Sequence, residues 1–176
     1  RRLIERLRPF EPREIIVHDE YLTAEGAVRE GIRKVEFDEL FSGADIIHCL
    51  TGLTAANKGR VGAEQLAAIG DGAILLNCGR AALIQEEALI AALGENRFTA
   101  IMDVYEVEPL AEDHPYRQMD NVVLTPHNAG YGRDEYYLGA MLDEFDRFFN
   151  GRPLETEVTQ ERALVMTDPA MMRKRG

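Results

Sequence analysis

AILLNCGRAALIQEEALIAALGENRFTAIMDV, residues 73–104, decides the fold. Its start, Ala73–Asn77 (AILLN), is an apolar run of strand length, and its end, Thr99–Val104 (TAIMDV), is another. Between them, Gln85–Leu93 (QEEALIAAL) brings Leu89, Ala92 and Leu93 to one face at helical spacing. Strand, helix and strand in so short a stretch describe a βα unit returning to a parallel neighbour. The same rhythm extends both ways. Glu14–His18 (EIIVH), Asp45–Leu50 (DIIHCL) and Asn121–Thr125 (NVVLT) read as further strands, and Ala63–Ile69 (AEQLAAI) as a helix stopped by Gly70. The alternation predicts an α/β fold, a doubly wound parallel sheet covered on both faces. Arg133–Asn150 is the longest predicted helix, with Leu138, Met141, Leu142, Phe145, Phe148 and Phe149 in one stripe and Gly151 and Pro153 as its stop. Arg152–Thr159 reads as extended, and Glu161–Gly176 as a partly ordered tail. The opening Arg1–Phe10 reads as a core-facing helix with a solvated basic rim.

Composition narrows the chemistry. The 176 residues carry 20 Lys and Arg against 31 Asp and Glu, a formal charge of −11, which argues against nucleic acid as partner. The hydrophobic share of 45% is that of a globular domain with a core of its own. No apolar run approaches the roughly 18 residues of a membrane span. Arg1-Arg2-Leu3-Ile4-Glu5-Arg6 lacks the pattern of a secretory signal. Cys49 and Cys78 lie inside apolar runs and make no disulfide framework, so a cytoplasmic setting is expected. The single serine, Ser42, lacks the flanks of a nucleophile elbow. His48, Cys49, His114 and His127 have no metal-ligand spacing, so no metal is expected.

In an open parallel sheet, ligands bind beyond the carboxyl ends of the strands. Asp19 follows the first predicted strand, Arg80 follows AILLN, Asp103 lies late in TAIMDV with Glu108 shortly after, and His127 follows NVVLTP. A carboxylate beside an imidazole favours its charged form, so Glu108 suits His127 as the partner of a proton-transferring group. Arg80 offers a planar fork for a substrate carboxylate. Together they fit proton transfer to an oxygen next to a carboxylate which, coupled to a nicotinamide, interconverts 2-oxo and 2-hydroxy acids. Asp19 stands where a ribose 2′-hydroxyl is bound, which favours NAD over NADP. Plainer readings stand beside these: a satisfied structural histidine, an exposed acid at a strand end, a buried Asp103 capping a turn. No G-x-G-x-x-G occurs, yet helix, strand and acid in the order seen here are the usual sequel to such a loop. The expectation is a first strand and glycine loop ahead of Arg1.

These segments resemble the D-isomer-specific 2-hydroxyacid dehydrogenase family. Leu76-Asn77-Cys78-Gly79-Arg80-Ala81 with Glu86-Glu87-Ala88-Leu89 is similar to its "IN-x-x-RG…DEEAL" segment, whose arginine binds substrate. Asp103-Val104-Tyr105-Glu106-Val107-Glu108-Pro109 resembles "DVF-x-x-EP", and Leu124-Thr125-Pro126-His127-Asn128-Ala129-Gly130 resembles "LTPH-x-GG". Asp45–Thr54 with Asn57 resembles the stretch lining the adenine side of NAD.

The resemblance runs from Arg1 to about Val158 and implies a Rossmann-like NAD-binding fold, incomplete at its N-terminus. It implies Arg80, Glu108 and His127 as catalytic residues. For the cofactor it implies contacts from Asp19, Thr51 and Asn57, from Cys78, Gly79 and Arg80, and from Asp103, His127, Asn128, Ala129 and Gly130. The backbone of Cys78, more than its thiol, is expected to approach NAD. Residues 1–150 then form the NAD-binding domain, and 151–176 return toward a substrate domain and end in the tail. A homodimer is implied by family likeness alone. Departures are Ala81 for a glycine, Gln85 for an acid, Gly52 for a common proline, and Asn128-Ala129 after the histidine. Retention of Glu108 points away from formate dehydrogenases, which have glutamine there.

The main expectation is an NAD-dependent oxidoreductase acting on a small D-2-hydroxy acid or its 2-oxo partner. The alternative is an NAD(H)-sensing interaction protein of the co-repressor branch, which Thr51–Asn57 also resembles and which keeps the same Arg, Glu and His. With no first strand in the sequence, the 176 residues by themselves are expected to be inactive.

Overall fold

The structure, a computed structural model, describes residues 2–129, 134–160, 163 and 166–168. A four-stranded parallel sheet carries most of the core: β3 (Ile46–Cys49), β4 (Ile74–Asn77), β5 (Thr99–Met102) and β6 (Val122–Leu124), in that spatial order. The register is regular, Cys49 opposite Asn77 and Asn77 opposite Met102, so the carboxyl ends of β3, β4 and β5 are level. β1 (Ile16–Val17) pairs in parallel only with β2 (Arg33–Lys34), and this pair is not hydrogen-bonded to the larger sheet. Among the described residues, β1 and β3 therefore each keep one unpartnered edge.

One face of the four-stranded sheet builds the core, and among the described residues the other face is only partly covered, with Ile46 55% and Val123 48% exposed, where the sequence predicted cover on both faces. Ile47, Leu75 and Ala100 are buried, and α4 (Ala63–Ala68) and α5 (Glu86–Gly94) bring Leu66, Leu89 and Leu93 into the same cluster. α3 (Phe37–Gly43) adds Phe41, whose ring meets Phe37 edge-on, with the Arg60 guanidinium 4.3 Å from the Phe37 centroid.

Each predicted strand is found, trimmed at its ends. The opening helix is α1 (Arg2–Leu7), continued by a 3₁₀ turn at Arg8–Phe10, and none of its residues is buried. The expected core-facing helix is thus a surface helix here. α2 (Ala24–Glu30), α3 and β2 (Arg33–Lys34) are elements that the sequence reading did not place. α2 has ordinary punctuation: the Thr23 hydroxyl accepts from the Gly26 N–H, and Gly31 closes the helix at φ 60°. α6 (Asp134–Phe149) matches the predicted long helix, but its stripe is exposed, Phe145 at 52% and Phe149 at 79%.

Leu75 lies fully buried at the centre of the sheet. Leu75→Ala is expected to cost about 3 kcal/mol of unfolding free energy. Urea denaturation followed by far-UV circular dichroism measures it, and a loss below about 1 kcal/mol contradicts the core described.

Candidate functional site

Parallel register brings the chemistry-bearing residues to one edge. At the end of β4, Asn77 is wholly buried. Its Oδ1 accepts from the Gly79 N–H at 3.2 Å, and its Nδ2 donates to Arg80 O at 3.2 Å, so one amide shapes the turn. A β-carbon at Gly79 would stand 3.0 Å from both Cys49 O and Thr51 O, so this turn packs directly on the end of β3. Arg80 donates from Nη1 to Gly79 O at 2.7 Å, while its buried Nε finds no partner among the described residues. A guanidinium with unspent donors at a strand end suits an incoming anion.

β5 ends in Asp103, only 3% exposed. Its carboxylate accepts from Thr125 Oγ1 at 2.6 Å and from the backbone N–H groups of Asn128 and Ala129, each at 3.1 Å. Burial pushes the Asp103 carboxyl up, but these hydrogen bonds, with the nearby His127, outweigh it and hold the group below its usual value. The bracket spans the turn that carries His127, whose backbone is left-handed at φ 50°. Tyr105 adds a second tie, its hydroxyl 2.6 Å from Thr125 O and 2.9 Å from Met102 O.

Held this way, His127 Nδ1 lies 2.8 Å from both Glu108 oxygens, and Glu108 Oε1 also accepts from the Tyr105 N–H at 3.2 Å. A carboxylate only accepts, so Nδ1 carries the proton, and Nε2 is left as the nitrogen that can exchange one. The imidazole remains partly open, its side chain 38% exposed.

The other predicted residues differ in exposure and partners. Asp19 is exposed, and its Oδ1 accepts from the Tyr21 N–H at 2.8 Å. Thr51 is exposed at the start of the loop after β3. Asn57 turns inward, donating to Gly52 O and accepting from the Thr54 N–H, both at 2.8 Å. Gly130 lies outside the described residues. Burial, then Asp103, pushes the Cys78 thiol up, and burial, then Cys78, pushes Cys49 up to about 12, so both are poor nucleophiles. His114, unassigned from sequence, is a tie between elements: Nδ1 accepts from the Tyr116 N–H at 3.3 Å, and Nε2 faces Glu86 at 3.5 Å. Among the described residues, no group of three His, Cys, Asp or Glu is placed to hold a metal ion. Sequence reading missed Asn77 and Tyr105 as supports. An asparagine ending a buried strand, just before a glycine, was the available signal for the first.

The edge fits a dinucleotide. An exposed carboxylate, Asp19, lies just past β1 in the two-stranded pair, and in the larger sheet the Gly79 turn brings backbone close to the end of β3. The pyrophosphate cradle is not part of these residues, because the sequence has no glycine-rich fingerprint.

Comparison with known proteins shows the family. A family model described as D-isomer specific 2-hydroxyacid dehydrogenase, NAD binding domain, matches residues 1–129. A D-3-phosphoglycerate dehydrogenase of Archaeoglobus fulgidus is 34% identical over 121 residues, covering 68% of this chain and 23% of that protein. A formate dehydrogenase of Candida boidinii is 35% identical over 153 residues, covering 85% of this chain and 41% of that protein. The crystal structure of a phosphoglycerate oxidoreductase from Rhizobium etli superposes with a TM-score of 0.77 at 25% identity, covering 89% of this chain and 50% of that one. The chain thus spans half or less of the length of these three.

The Asp103 bracket has a pH signature. A carboxyl held low in the fold adds stability above its unfolded value, near about 3.9, and loses it as pH falls through the folded value. Asp103→Asn is therefore expected to cost about 2 kcal/mol at pH 7 and to flatten the fall in Tm below about pH 4. Thermal melts across that range check this, and parallel curves for variant and parent contradict it.

Proposed function

Because the chain belongs to the D-isomer-specific 2-hydroxyacid dehydrogenase family, whose Rossmann-fold NAD-binding domain it carries, we propose that its protein is an NAD-dependent oxidoreductase of a small D-2-hydroxy acid and the matching 2-oxo acid. The observation that carries this reading is the His127–Glu108 contact at 2.8 Å, on the sheet edge that also holds Arg80. NAD, when bound, supplies the hydride acceptor, and NADH the donor, at the substrate's C2.

The protein's own residues do the rest. His127 Nε2 takes the hydroxyl proton during oxidation and returns it during reduction. Glu108 accepts the Nδ1–H, fixing the ring and offsetting the positive charge that His127 gains. Arg80 pairs with the substrate carboxylate and draws charge from the 2-oxo oxygen. Asp19 holds the adenosine ribose by its diol, with Thr51 and the turn at Cys78 and Gly79 along the same edge. Asp103, buried and fully engaged, serves this site by holding the turn of Asn128 and Ala129.

In this reading residues 1–150 are the nucleotide-binding domain, and 151–176 lead back to a substrate domain. Among the described residues no helix is long and apolar enough to cross a membrane. A cytoplasmic homodimer is the arrangement we infer from family likeness.

The test is NADH consumption by the full-length protein over glyoxylate, hydroxypyruvate, pyruvate and phosphohydroxypyruvate. Turnover with one or two of them is expected. His127→Ala should lower kcat by about 10³-fold or more while NADH binding holds. Equal loss of both would remove the proton-transfer role from His127. NADH binding with no turnover on any acid would replace the enzyme with a nucleotide sensor.

A further inference from the structure

The loop after β3 is held from two sides. From within, Asn57 bridges Gly52 O and the Thr54 N–H. From without, residues 166–168 lie across it: the Leu53 N–H donates to Thr167 Oγ1 at 3.2 Å, and the Asp168 N–H donates to Leu53 O at 2.9 Å. Leu53 is 4% exposed, so both of its backbone groups need protein partners, and this segment supplies them.

Gly52 marks the closest approach. A β-carbon there would stand 2.8 Å from Thr167 N, 3.1 Å from Met166 C and 3.2 Å from Thr167 Oγ1. The first two are backbone atoms, which cannot swing aside as a side-chain tip can. Glycine at 52 is what lets the segment lie down. The same loop borders the substrate-facing turn, because Thr51 O and Cys49 O are the atoms on which Gly79 packs. A shift at 51–53 therefore reaches the turn that carries Arg80.

We propose that Thr167 is a positioning residue for the dinucleotide site: strapped over Gly52, residues 166–168 hold the loop after β3 in the shape the cofactor edge requires. This rests on Thr51 and Asp19 lying along the cofactor, as proposed above. The Thr167 hydroxyl supplies the acceptor, and Gly52 supplies the room.

The experiment pairs amide hydrogen exchange of the peptide spanning 50–58 with NADH fluorescence titration, in the full-length protein. Gly52→Ala drives the strap off by contact, and Thr167→Val removes the acceptor while keeping the shape. Both should exchange faster at 50–58, bind NADH about tenfold more weakly and raise the KM for NADH with little change in kcat. Thr167→Ser, which keeps the hydroxyl, should restore both readouts. Unchanged exchange in both variants overturns the contact itself. Faster exchange with parental NADH affinity overturns the positioning role. Asp19→Ala separates the two levels. If it weakens NADH binding while Thr167→Val does not, the strap proposal alone fails. If Asp19→Ala also binds as the parent does, the cofactor-edge reading fails and takes the strap with it.

Discussion

A single carboxylate, Asp103, joins the end of β5 to the turn after β6. It is buried, and its three hydrogen bonds all go to residues 125–129. Without such an anchor, the turn would have no reason to keep His127 in a left-handed backbone, which costs roughly 1 kcal/mol for a side-chain-bearing residue. With it, the imidazole is delivered to Glu108, itself seated by the Tyr105 N–H. The imidazole–carboxylate pair is thus built on the hydrogen-bonding of the groups around it.

The sheet supplies the other half of the geometry. Parallel pairing in level register sends every loop that leaves a strand to the same side. Arg80, Glu108 and His127 are far apart in the chain, yet each lies just past the end of a strand. The two supports differ in kind: Asn77 shapes its turn with one amide, whereas Asp103 uses charge-assisted bonds.

Legibility in the sequence tracks physical range. The four core strands and α5 are readable because buried parallel strands are apolar runs and α5 repeats leucine at helical spacing. Glu108 and His127 are readable because strand ends are where polar residues interrupt such runs. β2 is not, since Arg33-Lys34 is two exposed charged residues whose only strand signal is its partner β1. α3 does carry a signal, Phe37, Leu40 and Phe41 at helical spacing, but it is short and flanked by no clear stop. Asp103 reads from sequence as a cofactor contact or as a buried turn cap, and only its burial and partners show the bracket. The contact of Gly52 with Thr167 has no local trace, because the two meet only through the fold.

The left-handed backbone at residue 127 sets the chemistry proposed for it against stability. Glycine or asparagine would occupy that conformation at less cost than histidine, and neither can pass on a proton. Selection for a durable fold alone would therefore drift away from histidine here. Histidine there carries that cost in the service of the proton-transfer role proposed for it.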